Sequence, residues 1–196
     1  MRWRVVVLPV AAVVIVVLCV YKLTRSYSPV ELPTPDALCE APHFELPDQK
    51  KPSQVVRLKG YVGRHRIILV FFDGEQGAEQ DSLLVYLRDN YDSVKAAGIV
   101  VLGISTALPQ QNRPAERSLP QPNPVRVRQA FPFPLLTDLP PSCRVHRLWG
   151  RYDKIREQPT PGVFLIEQNG LVACVGRVPK PLAQPRKTID EILFQQ

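Results

Sequence analysis

Residues 67–105 read IILVFFDGEQGAEQDSLLVYLRDNYDSVKAAGIVVLGIS, and their reading decides the fold. The stretch opens on Ile67-Ile68-Leu69-Val70-Phe71-Phe72, an unbroken apolar run of strand length. Such a run suits a central strand covered on both faces. Apolar residues then recur at Leu83, Leu84, Leu87, Tyr91 and Val94, so the spacing predicts a helix within 79–97. Ile99 to Ser105, IVVLGIS, is a second buried strand. A strand, a helix and a strand in so short a span make a βαβ unit with parallel pairing.

Upstream, a strand is expected near Val55–Leu58. Downstream the rhythm breaks, because nine of the chain's 21 prolines fall between Pro109 and Pro141. Proline at that density excludes an ordinary helix. A surface insertion near 106–134 is expected, with a short helical turn near Val125–Phe131. Ser142 then reads as the cap of a short helix through Leu148 and Trp149, ended by Gly150. Val163–Ile166 and Leu171–Val175 read as strands joined by a hairpin at Asn169-Gly170. Thr188 with Glu191 reads as a capping box before Ile189, Ile192 and Leu193. The assembled order describes an α/β protein. It is a thioredoxin-like sandwich over 38–196, a central mixed sheet flanked by helices.

The amino-terminal segment has a different composition. Val5 to Val20, VVVLPVAAVVIVVLCV, is continued by Tyr21 and Leu23 around Lys22. About 17 apolar residues lie at the lower limit for a helix that crosses a bilayer. Tyr21 to Ser26 offers no small-residue cleavage site, so residues 1–25 are expected to be an uncleaved transmembrane anchor. Arg2 and Arg4 face Lys22 and Arg25 across the run, and the short tail favours a cytoplasmic amino terminus. The expected location is therefore a single-pass membrane protein with an extracytoplasmic domain. Residues 26–37, with three prolines, read as an extended linker.

Location also disposes of the net charge of +7. Four basic residues and no acid lie in residues 1–25, which leaves 21 basic against 18 acidic side chains in the rest. A nucleic-acid-binding domain would carry a basic patch or stripe, and none is expected here. His43, His65 and His146 are scattered and show no HxH or HExxH spacing, so neither a metal nor a cofactor is expected. Ser82 has no base at a recognisable spacing, which leaves a hydrolase unsupported. The four cysteines, Cys19, Cys39, Cys143 and Cys174, form no CxxC. Cys143 begins a predicted helix, a position that lowers a thiol pKa, and His146 follows one turn later. Cys143, Cys174 and Cys39 are the candidate redox thiols, and outside the cytoplasm two of them are free to pair. Residues 73–81, DGEQGAEQD, read as a helix start with acids set favourably against the dipole.

Several strings carry a family resemblance in order. Ala41 to Asp48, APHFELPD, resembles the opening of peroxiredoxins of the alkyl hydroperoxide reductase and thiol-specific antioxidant type. Leu58 to Gly63 resembles their approach to the first core strand. ILVFF and LRDNYDSVKAAGIVVLGIS resemble their strand, helix and next strand, Phe133 to Asp138 their FPLLsD, and Phe164 to Gly170 their FLIDxxG. The resemblance implies a thioredoxin-like fold and antioxidant thiol oxidoreductase ancestry.

It also implies a reaction centre that this chain lacks. The family's PxxxTxxC motif falls on Asp73, Gly77 and Gln80, so glutamine stands where the peroxidatic cysteine would be. A CxxC alignment falls on Gln76 and Glu79, again without a thiol. The family's arginine before its RxTF strand entry falls on Pro161. Thr160-Pro161 instead resembles the cis-proline of thioredoxins. The expectation is a degenerate redoxin whose former active face docks a protein partner. The alternative is a thiol-dependent peroxidase or disulfide reductase that uses Cys143, Cys174 or Cys39.

Overall fold

The computed structural model describes residues 37–108 and 130–194. The chain divides into two units, Met1–Pro35 and Asp36–Gln196. The expected anchor, most of the linker and the helical turn expected from Val125 lie outside the described residues. Among the described residues no helix is long and apolar enough to cross a membrane.

The second unit is built on β4 (Arg66–Phe71) and β5 (Ile99–Ser105), which pair in parallel from Arg66↔Ile99 to Phe71↔Ile104. The apolar run thus forms the predicted βαβ unit. Its helical part is divided. A 3₁₀ turn (Ala78–Gln80) precedes α1 (Ser82–Asp89), and α2 (Tyr91–Ala96) follows. The single helix expected over 79–97 is interrupted at Asn90, whose side-chain amide donates to Tyr86 O at 2.9 Å. A short amide side chain that competes for backbone carbonyls ends one helix and lets the next begin.

On its other side β4 pairs antiparallel with β9 (Gly162–Ile166), which leads to β10 (Leu171–Val175). The expected hairpin is present. Gly170 turns with φ +84°, and Asn169 Oδ1 accepts from Leu171 N at 3.1 Å. The edges are β1 (Ala37–Glu40), beside β10, and β6 (Leu135–Thr137), parallel to β5. β11 (Val178–Pro179) pairs with β10, completing a seven-stranded sheet in the order β1-β10-β9-β4-β5-β6 with β11 off the path. Two ribbons lie apart from it, β2 (Glu45–Pro47) with β3 (Val55–Arg57), and β7 (Tyr152–Asp153) with β8 (Gln158–Pro159).

The pleat divides the core in two. Ile67, Leu69 and Phe71 face one cluster, with Leu102, Ile104, Phe164 and Trp149. Ile68, Val70 and Phe72 face the other, with Leu84, Leu87, Val94 and Ile189. Each wholly buried side chain of this size contributes about 1.5–3 kcal/mol of burial. Trp149 is the largest fully buried residue and meets Phe164 edge-on with ring centroids 5.0 Å apart. The sheet is therefore mixed and covered on both faces, a thioredoxin-like α/β fold.

Four local expectations are corrected. Ser142 does not cap α3 (Arg144–Leu148), because its hydroxyl donates to Leu139 O at 3.0 Å. Asp138 supplies the cap, with Oδ2 accepting from His146 N at 2.8 Å. The last helix, α4 (Pro185–Phe194), begins before Thr188, whose hydroxyl donates back to Gln184 O at 3.1 Å. Pro185 starts a helix readily, since its missing N–H costs nothing there. The span 106–134 is not all surface, because Ala107, Phe131 and Phe133 are buried. The Thr160–Pro161 bond is trans, and the cis X–Pro bond among the described residues is Pro140–Pro141. Thr160 and Pro161 link β8 to β9, and Thr160 N donates to Arg151 O at 2.9 Å.

Close packing gives a direct test. A Cβ on Gly103 would lie 2.6 Å from Leu135 Cδ2 and 3.3 Å from Phe72 Cε1. One on Gly60 meets nothing within 4 Å. Gly103→Val is expected to lower unfolding stability by about 1–3 kcal/mol. Gly60→Ala is expected to leave it unchanged or raise it by about 0.4–1 kcal/mol. Urea denaturation of the two variants beside wild type measures both.

Candidate functional site

The parallel strands β4 and β5 end together, and in open α/β sheets ligands bind beyond such carboxyl ends. Here a cleft of about 590 Å³ opens, lined by Phe72, Asp73, residues 75–77, residues 80–82 and Thr106 on one side and by Arg156 and residues 158–161 on the other. Its floor is rigid. Gly74 is buried against the turn after β5, and a Cβ there would come within 2.7 Å of Ala107 N. Asp73 Oδ1 accepts from Glu75 N at 2.8 Å, and Gly77 N closes onto Asp73 O at 3.1 Å. Gly77 holds φ +83°, which a side chain at that position would strain.

The motif positions Asp73, Gly77 and Gln80 therefore come together at this cleft, with Pro161 on the opposite wall. Gln80 is exposed at the end of the 3₁₀ turn. Its neighbour Asp81 is the N-cap of α1, with Oδ1 accepting from Leu83 N at 3.0 Å and Leu84 N at 2.9 Å. A helix amino terminus offers free amides and positive potential to an anion. In this chain the anion is the protein's own carboxylate. The acidic 73–81 stretch is thus a helix start, as its composition suggests, with Asp81 as the residue that caps it.

The rim is mainly acidic. Asp73, Glu75 and Asp81 line the cleft, with Arg156 as its basic member. Gln76, Gln80 and Ser82 are exposed, whereas Ala78 is buried and Leu83 packs against the core. The surface from Gln76 to Leu83 therefore carries no apolar patch. Arg151 donates to Pro161 O at 3.3 Å, but its guanidinium lies toward the Phe164 ring, and it does not line the cleft.

The candidate thiols lie elsewhere. No described cysteine lines the cleft. Cys143 is buried at the start of α3, and its thiol is pushed up by burial first and by the Asp138 carboxylate second. His146 does not activate it. The His146 ring is buried and its Nδ1 lies 2.7 Å from Asp138 Oδ2, an orientation that leaves the ring edge-on to Phe71. Sequence spacing showed Cys143 and His146 one turn apart, but it carried no sign that Asp138 holds the histidine. Cys39 and Cys174 lie on the adjacent strands β1 and β10. Neither was placed beside the other by the sequence, because their proximity depends on strand register. His43 and His65 stand apart, and among the described residues no group of three or more His, Cys, Asp or Glu side chains could hold a metal ion.

Comparison with known proteins agrees with this geometry. The AhpC/TSA family model matches residues 38–175. Alkyl hydroperoxide reductase E of Mycobacterium tuberculosis is 28% identical over 154 residues, which cover 79% of this chain and 90% of that protein. Peroxiredoxin Bcp of Escherichia coli is 32% identical over 141 residues, which cover 67% of this chain and 79% of that protein. Among solved structures, the reduced 2-Cys peroxiredoxin of Plasmodium vivax superposes with a TM-score of 0.55 at 18% identity, covering 80% of this chain and 95% of that one. With a thioredoxin-like sheet, a cleft at the strand ends and these matches together, the chain belongs to the AhpC/TSA family of peroxiredoxin-like proteins.

Proposed function

We propose that this protein is a degenerate peroxiredoxin, held at a membrane by residues 1–25, whose former active face recognises a partner instead of reducing peroxide. The observation that carries the reading is the occupied helix start. Gln80 has no nucleophile, and the Asp81 carboxylate already accepts the amides of Leu83 and Leu84. A peroxidatic thiol needs that positive environment to ionise near neutral pH. A carboxylate there opposes a neighbouring thiolate by like-charge repulsion.

The cleft that remains is polar, rigid and rimmed by Asp73, Glu75 and Asp81. It suits a segment of a partner protein that presents basic side chains. Its walls come from two separate parts of the chain, the turn after β4 and the β7–β8 ribbon, so it reads a shape as well as a charge. The polar character of residues 76–83 speaks against simple apolar packing on a partner. The anchor and the extracytoplasmic location belong to the same reading, and they rest on the apolar run from Val5 to Val20. Limited trypsin digestion of intact spheroplasts is expected to cleave the domain, and protection there would reverse the orientation.

Two further outcomes are expected. Reduced full-length protein given hydrogen peroxide and a dithiol should consume peroxide no faster than buffer with dithiol alone. Cysteine oxidation by peroxide, followed by mass spectrometry, should be slow; catalytic turnover of peroxide would establish a working peroxidase. Asp81→Ala should cost about 1 kcal/mol of stability by loss of the cap, and Asp81→Asn much less. Urea denaturation checks the pair.

A further inference from the structure

Cys39 and Cys174 have no part in the cleft, yet the fold brings them together. The register sets Cys39 opposite Val172 and Ala37 opposite Cys174. Residues two apart on a strand share a face, so both thiols project from the same side of the sheet as diagonal neighbours. Cys174 Sγ donates to Ala37 O at 3.2 Å, and the neighbouring Cys174 helps to push the Cys39 thiol up. Cys39 is half-buried and Cys174 is buried. One of the pair is reachable from solvent, and the other is reachable through it.

We propose that Cys39 and Cys174 are a redox modification site, a cross-strand dithiol that a small disulfide such as oxidised glutathione converts to an internal disulfide joining β1 to β10. Cys39 loses its proton and attacks one sulfur of the oxidant. The oxidant's S–S bond breaks, a mixed disulfide forms on Cys39, and the departing thiolate takes up the proton. Cys174 then loses its proton and attacks the Cys39 sulfur, releasing the second thiol. Two protein thiols are oxidised by two electrons, and one disulfide is reduced to two thiols.

Strand β1 is suited to this change. It is an edge strand of four residues, three of them exposed, and among the described residues it pairs only with β10. Disulfides close most readily at Cα separations of about 4.4–6.8 Å, and diagonal neighbours sit at about 7–8 Å. An edge strand held from one side can make that adjustment, whereas a central strand cannot. Burial and the neighbouring sulfur push the Cys39 thiol up, which sets this pair apart from a peroxidatic centre. Its reaction is a slow, stoichiometric modification. It does not depend on what the cleft binds.

The test uses reduced full-length protein incubated with oxidised glutathione, quenched in acid, digested and mapped by mass spectrometry. A linked pair of peptides containing Cys39 and Cys174, with loss of two hydrogens and reversal by dithiol, is expected in most chains. Cys143 should remain free. The rate should rise about tenfold per pH unit between about pH 7 and 9, as thiolate becomes available. Cys39→Ser should abolish the link and leave Cys174 slower to react by at least about tenfold, since its burial is retained. A mixed disulfide that stops on Cys39, a link to Cys19 or Cys143, reaction only after denaturation, or a flat pH profile would overturn the proposal.

Discussion

Strand β4 is paired on both edges and buried on both faces. Its central residues have no exposed direction, so Ile67 to Phe71 must be apolar at every position, and all are. Their alternation assigns Ile67, Leu69 and Phe71 to one core and Ile68 and Val70 to the other. Trp149 and Phe164 are positioned by the first set, and α1 and α2 by the second. Because β4 and β5 end level, the turns after them are forced together, and Gly74 has to pass against Ala107 without a Cβ. The cleft follows from that convergence. It is dictated by the core, and not by the residue at position 80.

The same constraint explains which parts of the sequence were legible. The unbroken run at 67–72, the helical spacing to Val94 and the Asn169-Gly170 turn are local signals, and each reports its own structure. Strands β1, β2 and β6 have three or four residues and gain their pairing from distant segments, so no local period marks them. Two capping assignments failed for one reason. Thr188 and Ser142 are residue types that cap, but Pro185 begins α4 earlier and Asp138 reaches α3 from outside its own first turn. The cleft's missing thiol was readable because the aligned position is a single residue, Gln80. The proximity of Cys39 to Cys174 was not, because it depends on the register of two strands 135 positions apart in sequence.

The start of α1 at the cleft poses a physical problem of its own. A helix that begins at a cleft exposes amides that require an acceptor. Here Asp81 takes two of them, and Asp73 takes Glu75 N in the preceding turn. These three amides are satisfied from within the loop itself.

The carboxylates also decide where thiol chemistry can survive. Both helix starts that would favour a thiolate are already capped by acids, α1 by Asp81 and α3 by Asp138. At α3 the consequence is direct, because the Asp138 charge adds to burial in raising the Cys143 thiol. The position that looks most reactive in the sequence, a cysteine at a helix start followed by a histidine, is therefore harder to ionise than an ordinary thiol. Cys39 and Cys174 lie on strands, and burial first and the neighbouring sulfur second push the Cys39 thiol up. Their reactivity rests on proximity instead of acidity. That difference sets them apart from a peroxidatic centre, whose thiol must ionise near neutral pH.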